Sequence, residues 1–472
     1  MNKTQFHFIA IGGIGMSGCA KYLLKKGYKV SGSDIEDSKY LNPLREMGAK
    51  IFIGHNENNI PNDKNTVVVV SSAIHKDNPE LMKAKELGLK IFHRSDLLGF
   101  IAKKAQNEDN TLFFGFSGTH GKTTTSGLCS YILNKTNQKS SFIVGGIVPE
   151  VNTNALYNGD DFFVAELDES DGTIVKYAPN ISVINNLELD HIDFYTNGLC
   201  SLFETFDTYI SNLKDKSIVI LNKDNQNTME LLKRNEDKNL KFVTFSLFDK
   251  TANYYAGEIN YIDLGSKFNV YKNGELLGEV EMSIPGKHNV YNALAVASAL
   301  LEAGFEFKDI SKYFTGFSGM GRRFQKAAEF NNIIVIDDYG HHPTEIGATL
   351  NSISNINRRK VAIFQPHRYT RLKGLWNEFI ECFKLSNIDL FFVTDVYAAS
   401  EFEIENINSK KFVEDFKTKS NIEAFYVKGT IKEASKIVSE HLIPNDLVLT
   451  FGAGDITKMG TYLQQNYTNL VK

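Results

Sequence analysis

The stretch Phe113-Phe114-Gly115-Phe116-Ser117-Gly118-Thr119-His120-Gly121-Lys122-Thr123-Thr124-Thr125 reads as a strand, a turn and the opening of a helix. The apolar run 112–114 predicts a buried strand. Glycines punctuate the turn, and Gly-Lys-Thr-Thr starts a helix with Leu128, Tyr131 and Ile132 along one side. Such an order aims backbone N–H groups and a positive helix N-terminus at one spot, which suits a phosphate. Lys122 can reach terminal phosphates, and the Thr123 hydroxyl can hold Mg²⁺. The spacing departs from the strict G-x-x-x-x-G-K-[ST], because Phe116 stands where the first glycine belongs and Gly118 opens the loop instead. The expectation is a nucleoside triphosphate site built by Gly118, Thr119, His120, Gly121, Lys122, Thr123 and Thr124.

Outward from that loop, apolar strand-like runs alternate with helical patterns from end to end, which argues an α/β fold with mostly parallel sheets. The chain has 472 residues, enough for about three domains with separate cores. A polar stretch at 103–110 sets the loop region off from a first region, and Gly316-Phe317-Ser318-Gly319-Met320-Gly321 looks like a hinge linker. The expected domains are 1–106, 107–316 and 317–472. Within the second, 259–280 alternates and carries the turn Lys272-Asn273-Gly274-Glu275, a β-hairpin insertion.

Composition narrows the function classes. Hydrophobic content of 42% and charged content of 23% are ordinary for a globular protein. A net charge of −4 leaves no electrostatic footprint for nucleic acid. No apolar run approaches the roughly 20 residues of a membrane span, and no signal-peptide layout opens the sequence, so no membrane insertion is expected. Four scattered cysteines, without a C-x-x-C, read as reduced packing residues of a cytoplasmic protein.

Further constellations follow the other apolar runs. The first strand ends in Gly13-Ile14-Gly15-Met16-Ser17-Gly18, and the second ends in Ser33-Asp34. Glycines there let a backbone approach a pyrophosphate, and the Asp34 carboxylate suits a ribose hydroxyl. A nicotinamide dinucleotide and a UDP-sugar would both use this physics. The run 162–165 delivers Glu166, which can bind Mg²⁺ on bound phosphates, followed by Asp168, Glu169, Ser170 and Asp171. The run 181–184 leads to Asn185-Asn186-Leu187-Glu188-Leu189-Asp190-His191, a setting for a second metal or a proton-handling group. His288, Asn289 and Asn292 open a strongly helical run, where they can grip a base or ribose or simply cap the helix.

The third region repeats the pattern. Runs at 333–336, 361–364 and 447–451 deliver Asp337-Asp338-Tyr339-Gly340-His341-His342-Pro343, then Gln365-Pro366-His367-Arg368-Tyr369-Thr370-Arg371, then Gly452-Ala453-Gly454-Asp455. In open α/β sheets ligands lie beyond the carboxyl ends of strands, so these clusters should share one rim.

In combination these pieces resemble the Mur ligases of peptidoglycan synthesis. The resemblance rests on Gly12 through Gly18, Ser71-Ser72-Ala73-Ile74 with Asp77-Asn78-Pro79-Glu80, and Gly118 through Thr124. It extends through Glu166 with Asp168-Glu169-Ser170-Asp171, Glu188 with Asp190-His191, Gly286 with His288-Asn289-Val290 and Asn292, and Arg322-Arg323-Phe324. Asp337 through Glu345 and Gln365 through Arg371 complete it in family order. The resemblance implies a Rossmann-like N-terminal domain for the UDP-sugar, a central P-loop ATPase domain and a Rossmann-like C-terminal domain for the amino acid. It implies ATP-dependent ligation of L-alanine to the lactyl carboxylate of UDP-N-acetylmuramate through an acyl phosphate. Cofactors would be ATP and Mg²⁺, and the chain would be a monomer or weak homodimer.

The same resemblance suggests roles. Lys122 would neutralise the transferring phosphoryl group, Thr123 and Glu166 would hold one Mg²⁺, and His191 a second. Asn289, Asn292, Arg322 and Asp337 would meet the nucleotide. Tyr339, His341, His367, Arg368 and Arg371 would line the amino-acid and acyl-phosphate side. The glycine loop (Gly13, Ile14, Gly15, Met16, Ser17), Asp34, Ser72 and His75 would take the UDP-sugar. The residue types agree, since phosphoryl transfer needs charge neutralisation and a carboxylate favours a bidentate arginine.

One departure falls at Tyr397-Ala398-Ala399-Ser400-Glu401, where the family usually carries Tyr-Pro-Ala-Arg-Glu. The absence of lysine from 203–209, where several sister ligases carry a carbamoylated lysine, fits the alanine-adding branch. Rival readings are the sister ligase that attaches a recycled peptide, an oxidoreductase using the first loop, and a non-catalytic ATP-driven switch.

Overall fold

Strands buried on both faces must be apolar along their whole length, and the phosphate-loop strand Leu112–Ser117 is such a strand, with Phe113, Phe114 and Phe116 fully buried. The computed structural model describes residues 4–470 apart from 39, 109, 191–193, 263 and 400. It divides into two compact units: Met1–Ile259, Phe268–Glu281 and Val290–Phe317 form one, and Asn260–Lys267, Met282–Asn289 and Ser318–Lys472 the other.

The first unit holds two sheets. One contains β1 (Gln5–Ile9), β2 (Lys29–Asp34), β3 (Lys50–Ile53), β4 (Thr66–Val70) and β5 (Lys90–His93), in the order β3-β2-β1-β4-β5. Every pairing is parallel. The order reverses between β1 and β4, and a crevice at such a switch point is where α/β sheets bind ligands. The helix Ile14–Lys25 follows β1 and buries Met16, Cys19, Ala20 and Leu23 in the core.

The second sheet contains β6 (Leu112–Ser117), β7 (Ser140–Val148), β8 (Thr153–Leu156), β9 (Phe162–Glu166), β10 (Ile181–Ile184), β11 (Ile218–Asn222), β12 (Lys241–Ser246), β13 (Tyr254–Ile262), β14 (Gly265–Lys272) and β15 (Glu275–Met282). Their order is β15-β14-β13-β12-β11-β10-β6-β9-β7-β8. β6 lies between β10 and β9, parallel to both, so the loops leaving these three strands are neighbours. Asn273 and Gly274, both with positive φ, turn the chain from β14 to β15.

In the second unit β16 (Gln325–Phe330), β17 (Ile333–Asp338), β18 (Lys360–Phe364), β19 (Leu390–Thr394), β20 (Glu423–Val427) and β21 (Leu447–Phe451) form a sheet in the order β16-β17-β21-β18-β19-β20. Only β16 runs antiparallel; β17, β21, β18, β19 and β20 pair in parallel. Apolar clusters cover both faces, one centred on Phe364, Phe379 and Phe383, the other on Val335, Ile363 and Val448. Among the described residues no helix is long and apolar enough to cross a membrane.

Candidate active site

The phosphate loop joins β6 to the helix Lys122–Lys135. Gly118 and Gly121 have φ of +117° and +83°, a region that favours glycine. A Cβ on Gly118 would stand 2.7 Å from the Asn186 carbonyl, and one on Gly121 would stand 2.6 Å from Asn292 Oδ1. The loop is thereby seated against the segment leaving β10. The Thr119 N–H donates to the Asn186 carbonyl, and the His120 N–H to Asn186 Oδ1 at 2.8 Å. Asn185 Nδ2 donates to Thr125 Oγ1 at 2.8 Å, and that hydroxyl lies 3.1 Å from Asn292 Oδ1.

Two acids from the end of β9 face the loop. Thr123 Oγ1 donates to Glu166 Oε1 at 3.0 Å, while Gly145 N donates to Glu166 Oε2 at 2.8 Å. Lys122 Nζ lies 2.9 Å from Glu169 Oε1. Burial pushes the Glu169 carboxyl pKa up, against the pull of Lys122. Burial acts the same way on Asp168, but hydrogen bonds from Ser170 and the charges of Lys122 and Arg94 hold its pKa below the usual carboxylate range.

In the same unit the glycine loop follows β1. The Gly12 N–H donates to Asp34 Oδ2 at 2.8 Å, so the carboxylate at the end of β2 shapes the loop. Gly13 and Ile14 are exposed and Gly15 is half-buried. Met16 and Ser17 are buried; Ser17 Oγ donates to the Ile14 carbonyl at 3.1 Å and its N–H to the Gly13 carbonyl at 2.8 Å, so the exposed part of the loop is Gly13 and Ile14. Ser72 Oγ lies 3.1 Å from His93 Nε2, and His75 is exposed on the loop after β4. A Cβ on Gly15 would stand 3.0 Å from Arg94 Cδ, and Arg94 Nη2 lies 3.8 Å from Asp168 Oδ2.

In the second unit the loops after β17, β21 and β18 emerge side by side from adjacent parallel strands. Arg322, with φ of +61°, sends Nε to Asp337 Oδ2 at 3.2 Å and its terminal nitrogens to the carbonyls of Gly452 and Ala453. Its guanidinium lies over the Tyr339 ring at 4.9 Å. Asp338 accepts the N–H groups of Gly340 and Phe324, and burial raises its pKa to about 6. The rings of His341 and His367 have centroids 5.9 Å apart, and His367 stacks on Tyr397 at 5.5 Å. Arg371 Nη1 donates to His367 Nδ1 at 3.1 Å, while Arg368 is exposed.

Three consecutive segments of the chain match models of known protein families. The Mur ligase family catalytic-domain model covers residues 5–106, the Mur ligase middle domain 116–300, and the Mur ligase glutamate ligase domain 322–454. The chain belongs to the Mur ligase family. A UDP-N-acetylmuramate–L-alanine ligase of Geotalea daltonii is 38% identical over 464 residues, 97% of each chain. The crystal structure of the UDP-N-acetylmuramate–alanine ligase of Thermotoga maritima matches with a TM-score of 0.81 and 29% identity, covering 99% of both chains. A murein peptide ligase of Psychrobacter arcticus shares the fold, with a TM-score of 0.67, 21% identity and coverage of 99% and 100%.

Within this Mur ligase the structure gathers Gly118 through Thr124, Glu166 and Asn292 at one loop, and Arg322, Asp337, Tyr339, His341, His367, Arg368 and Arg371 at one rim. Asn289 begins the helix Lys287–Glu302, where its Nδ2 donates to the Pro285 carbonyl at 2.7 Å. His191 lies outside the described residues. Sequence reasoning missed Arg94 and His93. They follow the short apolar run at 91–92, so the rule that picked the third-region clusters would have found them. Among the described residues no group of three or more His, Cys, Asp or Glu could hold a metal ion. The adjoining Thr123 hydroxyl and Glu166 carboxylate nevertheless fit Mg²⁺, a hard cation that takes one or two protein oxygens and completes its shell with phosphate and water.

Proposed function

We propose that this Mur ligase joins L-alanine to the lactyl carboxylate of UDP-N-acetylmuramate, driven by ATP and passing through an acyl phosphate. The observation that carries the ATP half is the glycine-built loop with Lys122 at its centre and the Thr123–Glu166 pair beside it. Relatives named UDP-N-acetylmuramate–L-alanine ligase, matched over 97% of this chain and of their own length, support the substrate half. Lys122 neutralises phosphoryl charge, and Thr123 and Glu166 hold Mg²⁺, which when bound supplies further neutralisation. By the family resemblance, His191 would hold a second Mg²⁺. Asn289, Asn292, Arg322 and Asp337 serve the nucleotide.

The open face of the glycine loop, with Asp34, Ser72 and His75, takes the UDP-sugar. Tyr339, His341, His367, Arg368 and Arg371 orient the amino acid and the activated carboxylate. The domain limits are 1–106, 107–316 and 317–472. The enzyme works in the cytoplasm as a monomer or weak homodimer, in cell-wall biogenesis and hence in cell shape, division and the cell cycle.

The test is ATP consumption against a panel of UDP-sugars and amino acids. UDP-N-acetylmuramate with L-alanine should be the preferred pair. Glycine and L-serine should be slower substrates, because one methylene is worth only about 1–3 kcal/mol in a pocket. Faster use of an L-alanyl-γ-D-glutamyl peptide would move the assignment to the recycling ligase.

A further inference from the structure

Lys122 has all three ammonium hydrogens engaged inside the protein. Nζ donates to the Gly118 carbonyl at 2.6 Å, to the Thr119 carbonyl at 3.1 Å and to Glu169 Oε1 at 2.9 Å. Glu169 is only 2% exposed, and its Oε2 is buried with no hydrogen-bond partner among the described residues. A buried carboxylate half-satisfied in this way depends on its cation, since an uncompensated buried charge is strongly unfavourable. The backbone that carries the carboxylate is held in place. The Glu169 carbonyl accepts both the hydroxyl of buried Tyr195 and the Gly172 N–H, which fixes its backbone. Glu166, three residues earlier at the end of β9, faces Thr123 instead, so the two acids serve different partners.

We propose that Glu169 is a positioning residue for the ATP step, a latch that holds Lys122 in a resting arrangement until triphosphate oxygens take the ammonium from it. The inference rests on reading residues 118–124 as the ATP loop. Because binding must draw Lys122 away from a buried carboxylate carried on a held backbone, the latch lowers the resting affinity for nucleotide. Removing the Glu169 charge while keeping its shape should therefore tighten nucleotide binding, whereas loss of a residue that helps bind ATP would weaken it.

The experiment is calorimetric titration of the full-length chain with the Mg²⁺ complex of adenosine 5′-(β,γ-imido)triphosphate. The proteins compared are wild type, Glu169→Gln, Lys122→Met and the double variant. Glu169→Gln should bind the analogue roughly tenfold tighter, the scale of one charge-assisted hydrogen bond. In the Lys122→Met background the same change should gain far less, which separates a latch from simple repulsion between Glu169 and the phosphates. Unchanged or weaker binding by Glu169→Gln, or an equal gain in both backgrounds, overturns the latch. Glu169→Asp, which withdraws the charge by one methylene, should shift affinity the same way by less, and weakening there overturns the latch even if Glu169→Gln fails to fold. Lys122→Met binding as tightly as wild type would instead sink the ATP-loop reading itself.

Discussion

Arg371 Nη1 stands 3.1 Å from Nδ1 of His367, and because a guanidinium only donates, that ring nitrogen must carry the lone pair. Neutral His367 therefore bears its proton on Nε2. His341 is arranged the other way. Its Nδ1 lies 3.0 Å from the Tyr339 carbonyl, which only accepts, so Nδ1 is protonated and Nε2 is left as the acceptor. These tautomers are assigned from the partners of each ring. One rim thus presents one imidazole donor and one imidazole acceptor, a pairing suited to a carboxylate and an amine.

Burial, then the charges of Arg371, His341 and Arg368, push the His367 pKa down to about 4, whereas an unfolded histidine titrates near about 6.5. Between those values the unfolded chain binds a proton that the folded chain refuses, so stability falls as pH drops through this window and is unaffected above it. His367→Asn should flatten the dependence of the thermal unfolding midpoint on pH between about 4 and 6.5. Histidine NMR should show His367 neutral at pH 5.5. A ring that titrates normally would contradict the arrangement.

Arg371→Lys should lower turnover although the charge is kept, because Arg371 Nη1 meets both His367 Nδ1 and the His367 carbonyl, and a lysine ammonium that made these contacts would have no planar fork to offer a carboxylate. Lys373→Gln, on the exposed side of the same short helix Tyr369–Gly374, should leave kcat and KM within twofold of wild type, as roughly expected of a surface change. Equal effects at the two positions would mean that only bulk positive charge matters there.

Lys122→Ala should reduce ligation by about 10²–10³, the usual consequence of removing one preorganised charge from a transferring group. Its circular dichroism spectrum should match wild type, since the helix Lys122–Lys135 is anchored by Leu128, Cys129 and Ile132, all fully buried. Retention of most of the activity would show that the loop is not catalytic.

How much of this was legible in sequence differs by element. The strand, turn and helix at 112–135 could be read because apolar periodicity and glycine placement are local signals. The three rim clusters could be read because each follows a run of consecutive apolar residues. Arg94 carried only the weak signal of the two-residue apolar run before it, because its position beside Gly15 and Asp168 follows from sheet order rather than from neighbours in sequence. Nor was the inward turn of Met16 and Ser17 apparent from a glycine pattern, since it follows from the helix beginning at Ile14. Glu169 stands in sequence among the polar residues Asp168, Ser170 and Asp171, and only three-dimensional packing buries it. Residues 260–267 and 282–289 group with the second unit, although the alternation at 259–280 reads as an insertion in the middle domain.

Glu80 is a further buried charge with a measurable consequence. Its side chain and that of His7 are both fully buried, with His7 Nε2 3.0 Å from Glu80 Oε2. Ser33 Oγ donates to the same oxygen at 2.8 Å, while Asn59 Nδ2 and the Asn56 N–H donate to Oε1 at 2.7 and 3.1 Å. Burial alone would raise the carboxyl pKa, but the hydrogen bonds from His7, Asn59 and Ser33 outweigh it and hold it below the usual range. The folded pKa is depressed, so this stabilisation is complete above the unfolded value near 4.3, roughly, and is lost as pH falls through the folded pKa. Glu80→Ala strands the donors from β1, β2 and the Asn56–Asn59 segment, and should destabilise the first unit by about 3–5 kcal/mol at pH 7. Glu80→Gln keeps the shape but turns an amide nitrogen toward donors, and should cost about 1–3 kcal/mol. Urea unfolding at pH 7 and pH 4 measures both variants, and the gap between wild type and Glu80→Gln should narrow at the lower pH. A Glu80→Ala protein within 1 kcal/mol of wild type, roughly the scatter of surface changes, would show that the network contributes little to holding β1, β2 and the helix Pro79–Glu86 together.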